Sequence, residues 1–219
     1  MLAIDNSPRD LAIRWALVLH DLGKGLPNVR KLNKEGQPSD PGHEAESAKM
    51  SKAILTRLGY NKSFVHLVTW LVAQHMRFAP MLLTGERTLL RWVRSEAANS
   101  GFRTQAELTQ AYKLLVEVFL ADMGATHARE NEQLMAEGRL LGRQVVELVR
   151  TRMPVCTKDL AIGGRELLQI ISQHEIKNIL SYLLERVQSG NLPNEKEALL
   201  TAVHKYQKRK ATISSGDNI

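Results

Sequence analysis

Apolar side chains recur at intervals of three and four residues along almost the whole chain, which is the period of an amphipathic helix. No convincing alternation of apolar and polar residues with a period of two, as in a half-buried strand, accompanies this pattern. Helices are therefore predicted around residues 13–20 and over residues 43–59, 62–76, 86–98, 107–129, 131–152, 157–172, 175–189 and 195–209. We expect an all-α fold, built as a helical bundle with a C-terminal helical subdomain.

Two interruptions of the pattern organise the chain. Residues 22–42 are rich in proline, glycine, lysine and asparagine, and a long loop is expected there. A shift of composition near Met153–Thr157 predicts a boundary between a domain of residues 1–153 and a C-terminal subdomain of residues 154–219. The subdomain ends in a basic tail, in which Lys205 is followed by the run Lys208–Lys210.

Composition narrows the class of protein. With 219 residues, 43% of them apolar and 24% charged, the chain resembles an ordinary globular protein and not a collagen-like, disordered or disulfide-built one. The single cysteine, Cys156, fits a reducing cytoplasm, and no apolar run reaches the ~18 residues of a membrane span. We therefore expect a cytoplasmic protein without a membrane partner. Thirty basic against 23 acidic side chains give a net charge of +7, which would attract a polyanion such as RNA.

Three of the predicted helices carry a titratable side chain at the end of their apolar face. His20, followed by Asp21, continues the apolar face of the first helix. His75 and Asp122 occupy equivalent positions in two later helices. A lone buried histidine is more often structural than functional, but an unpaired buried charge is costly and is normally paired or bound to metal. Three such positions, together with His43 at the head of another helix, favour a common site.

The string from His20 to Lys24, which reads His-Asp-Leu-Gly-Lys, is the sharpest chemical feature of the sequence. An adjacent histidine and aspartate at a helix end can offer a nitrogen and a carboxylate oxygen to a divalent ion. The ammonium group of Lys24 can then face a bound phosphate. The same string could instead be a helix stop at the surface without a metal, and we favour the metal or phosphate site.

This string resembles the signature of HD-domain phosphohydrolases. The wider pattern is similar to the HD region of bacterial tRNA nucleotidyltransferases (CCA-adding enzymes) and the related poly(A) polymerases. The segments that carry this narrower resemblance are Arg14–Ala16, Gly42–Glu44, Gln74–Arg77, Ala121–Asp122, Asp159–Leu168 and Gly190–Glu197. The resemblance implies an HD-type helical domain over residues 1–153 and extends into the C-terminal subdomain.

The resemblance also implies a metal site and its chemistry. The implied metal ligands are His20, Asp21 and Asp122. The implied catalytic contacts are His43 and His75, as additional ligands or as contacts that orient phosphate and shuttle a proton, and Lys24. The implied cofactor is a divalent metal ion, with Mn, Ni, Co and Mg as candidates. The expected activity is metal-dependent hydrolysis of phosphomonoesters or cyclic phosphodiesters of nucleotides.

Two departures from the family pattern leave other functions open. No Gly-Gly-x-Val-Arg-Asp stretch with a following Asp-x-Asp is present, so we expect no nucleotide addition by this chain. Residues 1–19 contain no histidine, although HD proteins usually supply a metal ligand ahead of the HD pair. One alternative is a non-catalytic, tRNA-binding helical region of a nucleotidyltransferase, and another is a helical interaction domain. The expected partners are accordingly a phosphate ester or nucleotide substrate, or tRNA or another structured RNA.

Overall fold

The computed structural model describes residues 2–126 and 132–216, and nearly all of its regular structure is helical. The α-helices are α1 (Leu2–Asp5), α2 (Leu11–Leu19), α3 (His43–Arg57), α4 (Lys62–Gln74), α5 (Phe78–Met81), α6 (Glu86–Asn99), α7 (Gln105–Ala125), α8 (Glu132–Arg152), α9 (Gly164–Leu167), α10 (Ile176–Gln188) and α11 (Lys196–Gly216). Single 3₁₀ turns cover His75–Arg77, Thr157–Asp159 and Gln173–Glu175. The predicted all-α fold is confirmed.

The helices that build the site begin and end at residues with clear local chemistry. Helix α2 is capped by Asp10, whose carboxylate accepts hydrogen bonds from the backbone N–H groups of Ala12 and Ile13. The side chain of Asn61 caps α4 in the same way. Helix α3 ends just before Gly59, which has a φ of 80° that favours glycine.

The predicted long loop contains a short hairpin. Strands β1 (Lys31–Leu32) and β2 (Pro38–Ser39) pair in antiparallel fashion, with Lys31 opposite Ser39. The side chain of Asn33 accepts hydrogen bonds from the backbone N–H groups of Glu35 and Gln37, and this fixes the turn between the strands. Two-residue strands are too short to leave a period-two pattern, and for this reason the sequence did not predict them.

One predicted helix is wrong. Residues 157–172 form a 3₁₀ turn and the four-residue helix α9, separated by irregular backbone, instead of a continuous helix. The carboxylate of Asp159 accepts hydrogen bonds from the backbone N–H groups of Val155 and Cys156, and Gly163 adopts an extended conformation before α9. These local bonds compete with helical ones. The predicted helix ends at Arg129 and Asn131 lie outside the described residues.

The chain divides into two compact units, each made of separate stretches. The first comprises Met1–Leu89 and Gln110–Val146, and the second comprises Leu90–Thr109 and Glu147–Ile219. The boundary predicted between residues 153 and 154 stays a prediction.

In the first unit, helices α2, α3 and α4 pack against one another. Their fully buried apolar side chains include Ile13, Ala16, Leu55, Val68, Leu71 and Val72. The part of α8 that belongs to this unit packs closely on α7. At Gly142 of α8, a Cβ atom would lie only 2.5 Å from the side chain of Val116.

The second unit has a core of its own. Its buried apolar residues are Leu160, Ile162, Leu167, Ile171, Ile179, Leu183, Val187, Leu199 and Val203. The side chain of Asn194, just before α11, holds the chain segment at the start of this core. It donates to the carbonyl oxygen of Asp159 and accepts from the N–H of Ala161. Within the described residues, no helix combines the length and apolar character needed to cross a membrane.

Candidate metal centre

The candidate site lies in the first unit, where the ends of several helices bring titratable side chains together. His20 is the C-terminal cap of α2, and Asp21 follows it directly. His75 occupies the same position after α4, and His43 is the first residue of α3. Asp122 lies in the last turn of α7. Each residue thus comes from a helix terminus, where the chain can change direction towards a common centre.

The three histidines share one orientation. In each, the ring Nδ1 lies within hydrogen-bond distance of the carbonyl oxygen three residues upstream: 2.8 Å from Leu17 for His20, 2.9 Å from Asp40 for His43 and 2.7 Å from Val72 for His75. A carbonyl oxygen only accepts, so each Nδ1 must carry the proton. In a neutral ring, the other nitrogen, Nε2, is then left with a lone pair.

All three Nε2 atoms face the carboxylate of Asp21. The Oδ1 atom of Asp21 lies 3.3 Å from the Nε2 of His43 and 4.0 Å from that of His75. The ligand atoms of Asp21, His43 and His75 all lie within 4.8 Å of one another, which is a spacing that could hold a metal ion. Such histidines, fixed through Nδ1 by a carbonyl group, have the arrangement common among metal ligands.

Two features of this group call for a cation. The Nε2 atoms of His43 and His75 are 3.3 Å apart, and in the neutral tautomers that their Nδ1 bonds impose, two lone pairs face each other. The Oδ1 atom of Asp21 is buried and has no hydrogen-bond partner among the described residues. A buried carboxylate oxygen without a hydrogen bond is costly, and a divalent ion would satisfy it together with both nitrogens. The donor set therefore fits a divalent metal.

The other oxygen of Asp21, Oδ2, joins a second group of charges. It lies 3.3 Å from the Nε2 of His20 and 2.8 Å from the ammonium of Lys24, and the Nε2 of His20 lies 3.5 Å from Asp122. Burial disfavours the charged form of His20, but hydrogen bonds to Asp122 and Asp21 outweigh burial and raise its pKa to about 10.

The pKa values of the neighbouring carboxylates, Asp21 and Asp122, are lowered. Burial would raise the pKa of Asp21, but the hydrogen bonds from His20 and Lys24 lower it well below its usual range. The hydrogen bond from His20 likewise lowers the pKa of Asp122. In contrast, burial lowers the pKa of His75, and this favours the neutral ring that can act as a metal ligand.

The site is open on its carboxylate side. The side chains of Asp21 and Asp122 are 40% and 44% exposed, whereas those of His43 and His75 are 5% and 4% exposed. Lys24 is also exposed. A ligand can therefore approach the carboxylates and the lysine from solvent, while the two buried histidines form the floor.

Gly23 allows the turn that follows Asp21 to lie close to the start of α3, where His43 is located. A Cβ atom at this position would clash with the carbonyl oxygen of His43 and would lie 3.0 Å from the backbone nitrogen of Ser47. The N–H of Gly23 donates a hydrogen bond to the hydroxyl oxygen of Ser47 at 2.8 Å. Only glycine allows the turn after Asp21 to approach the first turn of α3 this closely.

Comparison with protein families agrees with this arrangement. The HD domain family model matches residues 1–199. The chain belongs to the HD domain family. Its members are typically metal-dependent phosphohydrolases, which accords with the donor set built around Asp21. No significant match links this HD domain to a curated protein or to a solved structure.

The structure brings together all the residues that the sequence singled out for the site. His20, Asp21 and Asp122 were predicted as metal ligands, and His43, His75 and Lys24 as additional ligands or phosphate contacts. Among the residues that the structure describes, Asp21, His43 and His75 form a group that could hold a metal. The assignment of individual roles stays a prediction.

Sequence reasoning missed one residue beside the site. Asp40 lies in the predicted loop and bonds to the segments on both sides of it. Its only signal in the sequence is its position three residues before His43, which matches the spacing of the carbonyl groups that orient the other two histidines of this HD domain.

Proposed function

We propose that this HD domain is a metal-dependent phosphohydrolase that acts on phosphomonoesters or cyclic phosphodiesters of nucleotides. The observation that carries the proposal is the pair of facing Nε2 atoms of His43 and His75 beside the buried Oδ1 of Asp21. Asp21, His43 and His75 would hold one divalent ion. His20 and Asp122, on the other side of Asp21, would complete the metal centre.

Lys24 and His20, beside the proposed ion, would have separate roles. A divalent ion held by these residues would supply Lewis acidity, which would polarise a phosphoryl oxygen and lower the pKa of water. Lys24, exposed and 2.8 Å from Asp21, would bind a phosphate oxygen and offset its charge as the ester bond breaks. His20 can keep a proton on Nε2 between Asp21 and Asp122 when no metal competes for that nitrogen.

The exposure of the site supports a substrate whose phosphate projects from a larger molecule. The carboxylates of Asp21 and Asp122 are partly open to solvent, and Lys24 stands beside them. A phosphate at the end of a nucleotide can reach them without entering a closed cavity. We place nucleotide phosphates and 2′,3′-cyclic phosphates in this class.

Hydrolysis of a generic phosphodiester and of a 2′,3′-cyclic nucleotide, each with Mn, Ni, Co or Mg, tests the proposal. We expect weak activity that requires metal and is lost in Asp21→Ala and Asp122→Ala. The variant His174→Ala is the control, because it removes an exposed histidine from the second unit. Activity that survives chelation and both aspartate substitutions would contradict the metal site. A wild-type protein that binds no metal would contradict the proposal as a whole.

A second candidate function is a non-catalytic helical region that binds tRNA, as the narrower resemblance to CCA-adding enzymes implies. It is favoured by the exposed, basic side chains of Lys205 and Lys208 on α11. Elemental analysis of the purified protein separates the two candidates at low cost. Stoichiometric metal favours the hydrolase, and protein without metal that binds the acceptor stem of tRNA favours the binding region.

A further inference from the structure

The side chain of Asp40 joins the end of the loop between Lys24 and His43 to its beginning at Gly25. The carboxylate of Asp40 accepts two hydrogen bonds from the guanidinium of Arg30, at 3.1 and 2.8 Å, in the bidentate geometry that is strongest for this pair. It also accepts the N–H of Gly25 at 2.9 Å. The side chain of Asp40 is only 11% exposed, whereas that of Arg30 is 50% exposed. Asp40 is therefore enclosed by its own partners.

Asp40 contacts the two chain segments that carry the candidate ligands. Its side chain binds Gly25, which directly follows the turn from His20 to Lys24. Its backbone carbonyl oxygen accepts from the Nδ1 of His43 at 2.9 Å and from the N–H of His43 at 3.3 Å. One residue thus links the segment of Asp21 to the ring of His43 without providing a ligand itself.

His43 depends on this link more than the other two histidines do. The carbonyl groups that orient His20 and His75 belong to Leu17 in α2 and Val72 in α4, and these helices hold them rigidly. The carbonyl group that orients His43 belongs to the loop before α3. It lies outside any helix, directly after β2, and the bonds of the Asp40 side chain to Gly25 and Arg30 join this residue to the start of the loop.

We propose that Asp40 is a positioning residue of the metal centre: its carboxylate, clamped between Arg30 and Gly25, holds the carbonyl group that fixes the ring of His43. The inference rests on the proposed function, since it concerns the same site. Residues that orient a metal ligand through its second nitrogen typically change metal affinity by about 10- to 100-fold when they are replaced. An ordinary surface ion pair would change it little.

The test compares Asp40→Ala and Asp40→Asn with the wild-type protein. Glu46→Gln is the matched control, because it removes a carboxylate that is also paired, with Lys49 on α3, but has no bond to the site. One measurement is titration with Co²⁺, followed by its visible absorption. The second is exchange of the ring Nδ1–H protons of His43 and His75 in metal-free protein, followed by ¹⁵N-edited NMR.

We expect Asp40→Ala to weaken Co²⁺ binding by about 10-fold, the lower end of the range for such residues, because the carbonyl group remains and only the bonds that hold it are lost. Asp40→Asn should weaken binding less, because the amide oxygen can still accept from Gly25. In metal-free protein, exchange at His43 should accelerate in Asp40→Ala while exchange at His75 stays unchanged. Unchanged exchange at His43, or an affinity no weaker than that of Glu46→Gln, would overturn the positioning role. If the wild-type protein binds no Co²⁺, the proposed function fails, and the exchange experiment still decides the role of Asp40.

Discussion

A carboxylate in the last turn of a helix faces the negative end of the helix dipole, and Asp122 occupies such a position in α7. This placement is unfavourable unless a positive charge lies nearby. The Nε2 of His20, 3.5 Å away, provides one when it is protonated, and a divalent ion would provide a stronger one. The position of Asp122 is therefore explained by a positive charge beside it, which protonated His20 provides, and not by the stability of α7.

The pKa of His20 predicts how the stability of metal-free protein depends on pH. This pKa is about 10 in the folded protein, where Asp122 and Asp21 outweigh burial, against an ordinary value of about 6.5. Because the folded value is raised, the stabilisation is complete below pH 6.5. It is lost as the pH rises to about 10. Urea unfolding in the presence of a chelator at pH 6 and at pH 10 would measure the loss.

Other groups also titrate near pH 10, so the comparison must be made with a variant. In His20→Gln the same pH change should cost less stability than in wild type, because the raised pKa is gone. Asp122→Asn should lie between the two, since His20 then keeps only its contact with Asp21. Equal losses in all three proteins would show that His20 is not protonated in the folded metal-free state.

At the scale of single residues, the sequence indicated side chains that the structure brings together. His20, His75 and Asp122 continue the apolar faces of their helices, and this pattern is visible because a titratable side chain on such a face is uncommon. Their roles in the site stay predictions. Asp40 was not predicted, because its role depends on a bidentate contact with Arg30 that forms only when the loop folds. The tautomers of the histidines were also beyond the sequence, because backbone carbonyl groups determine them.

At the scale of elements, Gly23 determines how closely Asp21, which follows α2, approaches His43, the first residue of α3. In Gly23→Ala the added methyl group would clash with the carbonyl oxygen of His43, and the start of α3 would have to shift. We expect a loss of about 1–3 kcal/mol of stability, as for other overpacked sites. Metal affinity should fall as well, because His43 moves away from Asp21. Chemical denaturation and Co²⁺ titration would measure the two effects.

A second glycine provides the control for this substitution. A Cβ atom added at Gly85 would have no other atom within 4 Å, and the φ of Gly85 is not positive, so Gly85→Ala should leave metal affinity almost unchanged. Because Gly85 precedes the first residue of α6, alanine there should cost only the preference of a helix N-terminus for glycine. The variant Ser47→Ala, which removes the hydrogen bond to the N–H of Gly23, should cost about 1 kcal/mol. If Gly23→Ala binds metal as tightly as Gly85→Ala, the close approach is not needed for the site.

The elements that the sequence predicted correctly are the long ones. Helices α3, α4, α6 and α8 repeat their apolar pattern over several turns, so their periodicity dominates local preferences. The hairpin and the short helix α9 offer no such repetition, and side-chain bonds from Asn33 and Asp159 decide their backbones instead. Local polar bonds of this kind are not visible as a hydrophobic pattern.

At the scale of the whole molecule, the basic side chains behind the net charge of +7 could attract an anion at two places, beside the candidate metal site or on α11. Basic side chains next to a metal centre attract phosphate, and in the proposed function Lys24, 2.8 Å from Asp21, would have this role. Basic side chains on a helix attract the backbone of a nucleic acid. Lys205 and Lys208 are exposed on α11, and residues spaced by three share a helical face. The side chains of Arg209 and Lys210 lie outside the described residues.

We predict weak, salt-sensitive binding of structured RNA through Lys205, Lys208, Arg209 and Lys210, because each neutralised phosphate releases condensed counterions. Replacing all four by glutamine should weaken every RNA about equally, since phosphate contacts carry no base information. Anisotropy with a labelled tRNA acceptor stem at two salt concentrations measures this. A charge-matched control replaces the exposed residues Lys31, Lys34, Lys52 and Lys62. If both variants lose affinity equally, overall charge and not α11 attracts RNA, and affinity that does not change with salt would contradict phosphate contacts altogether.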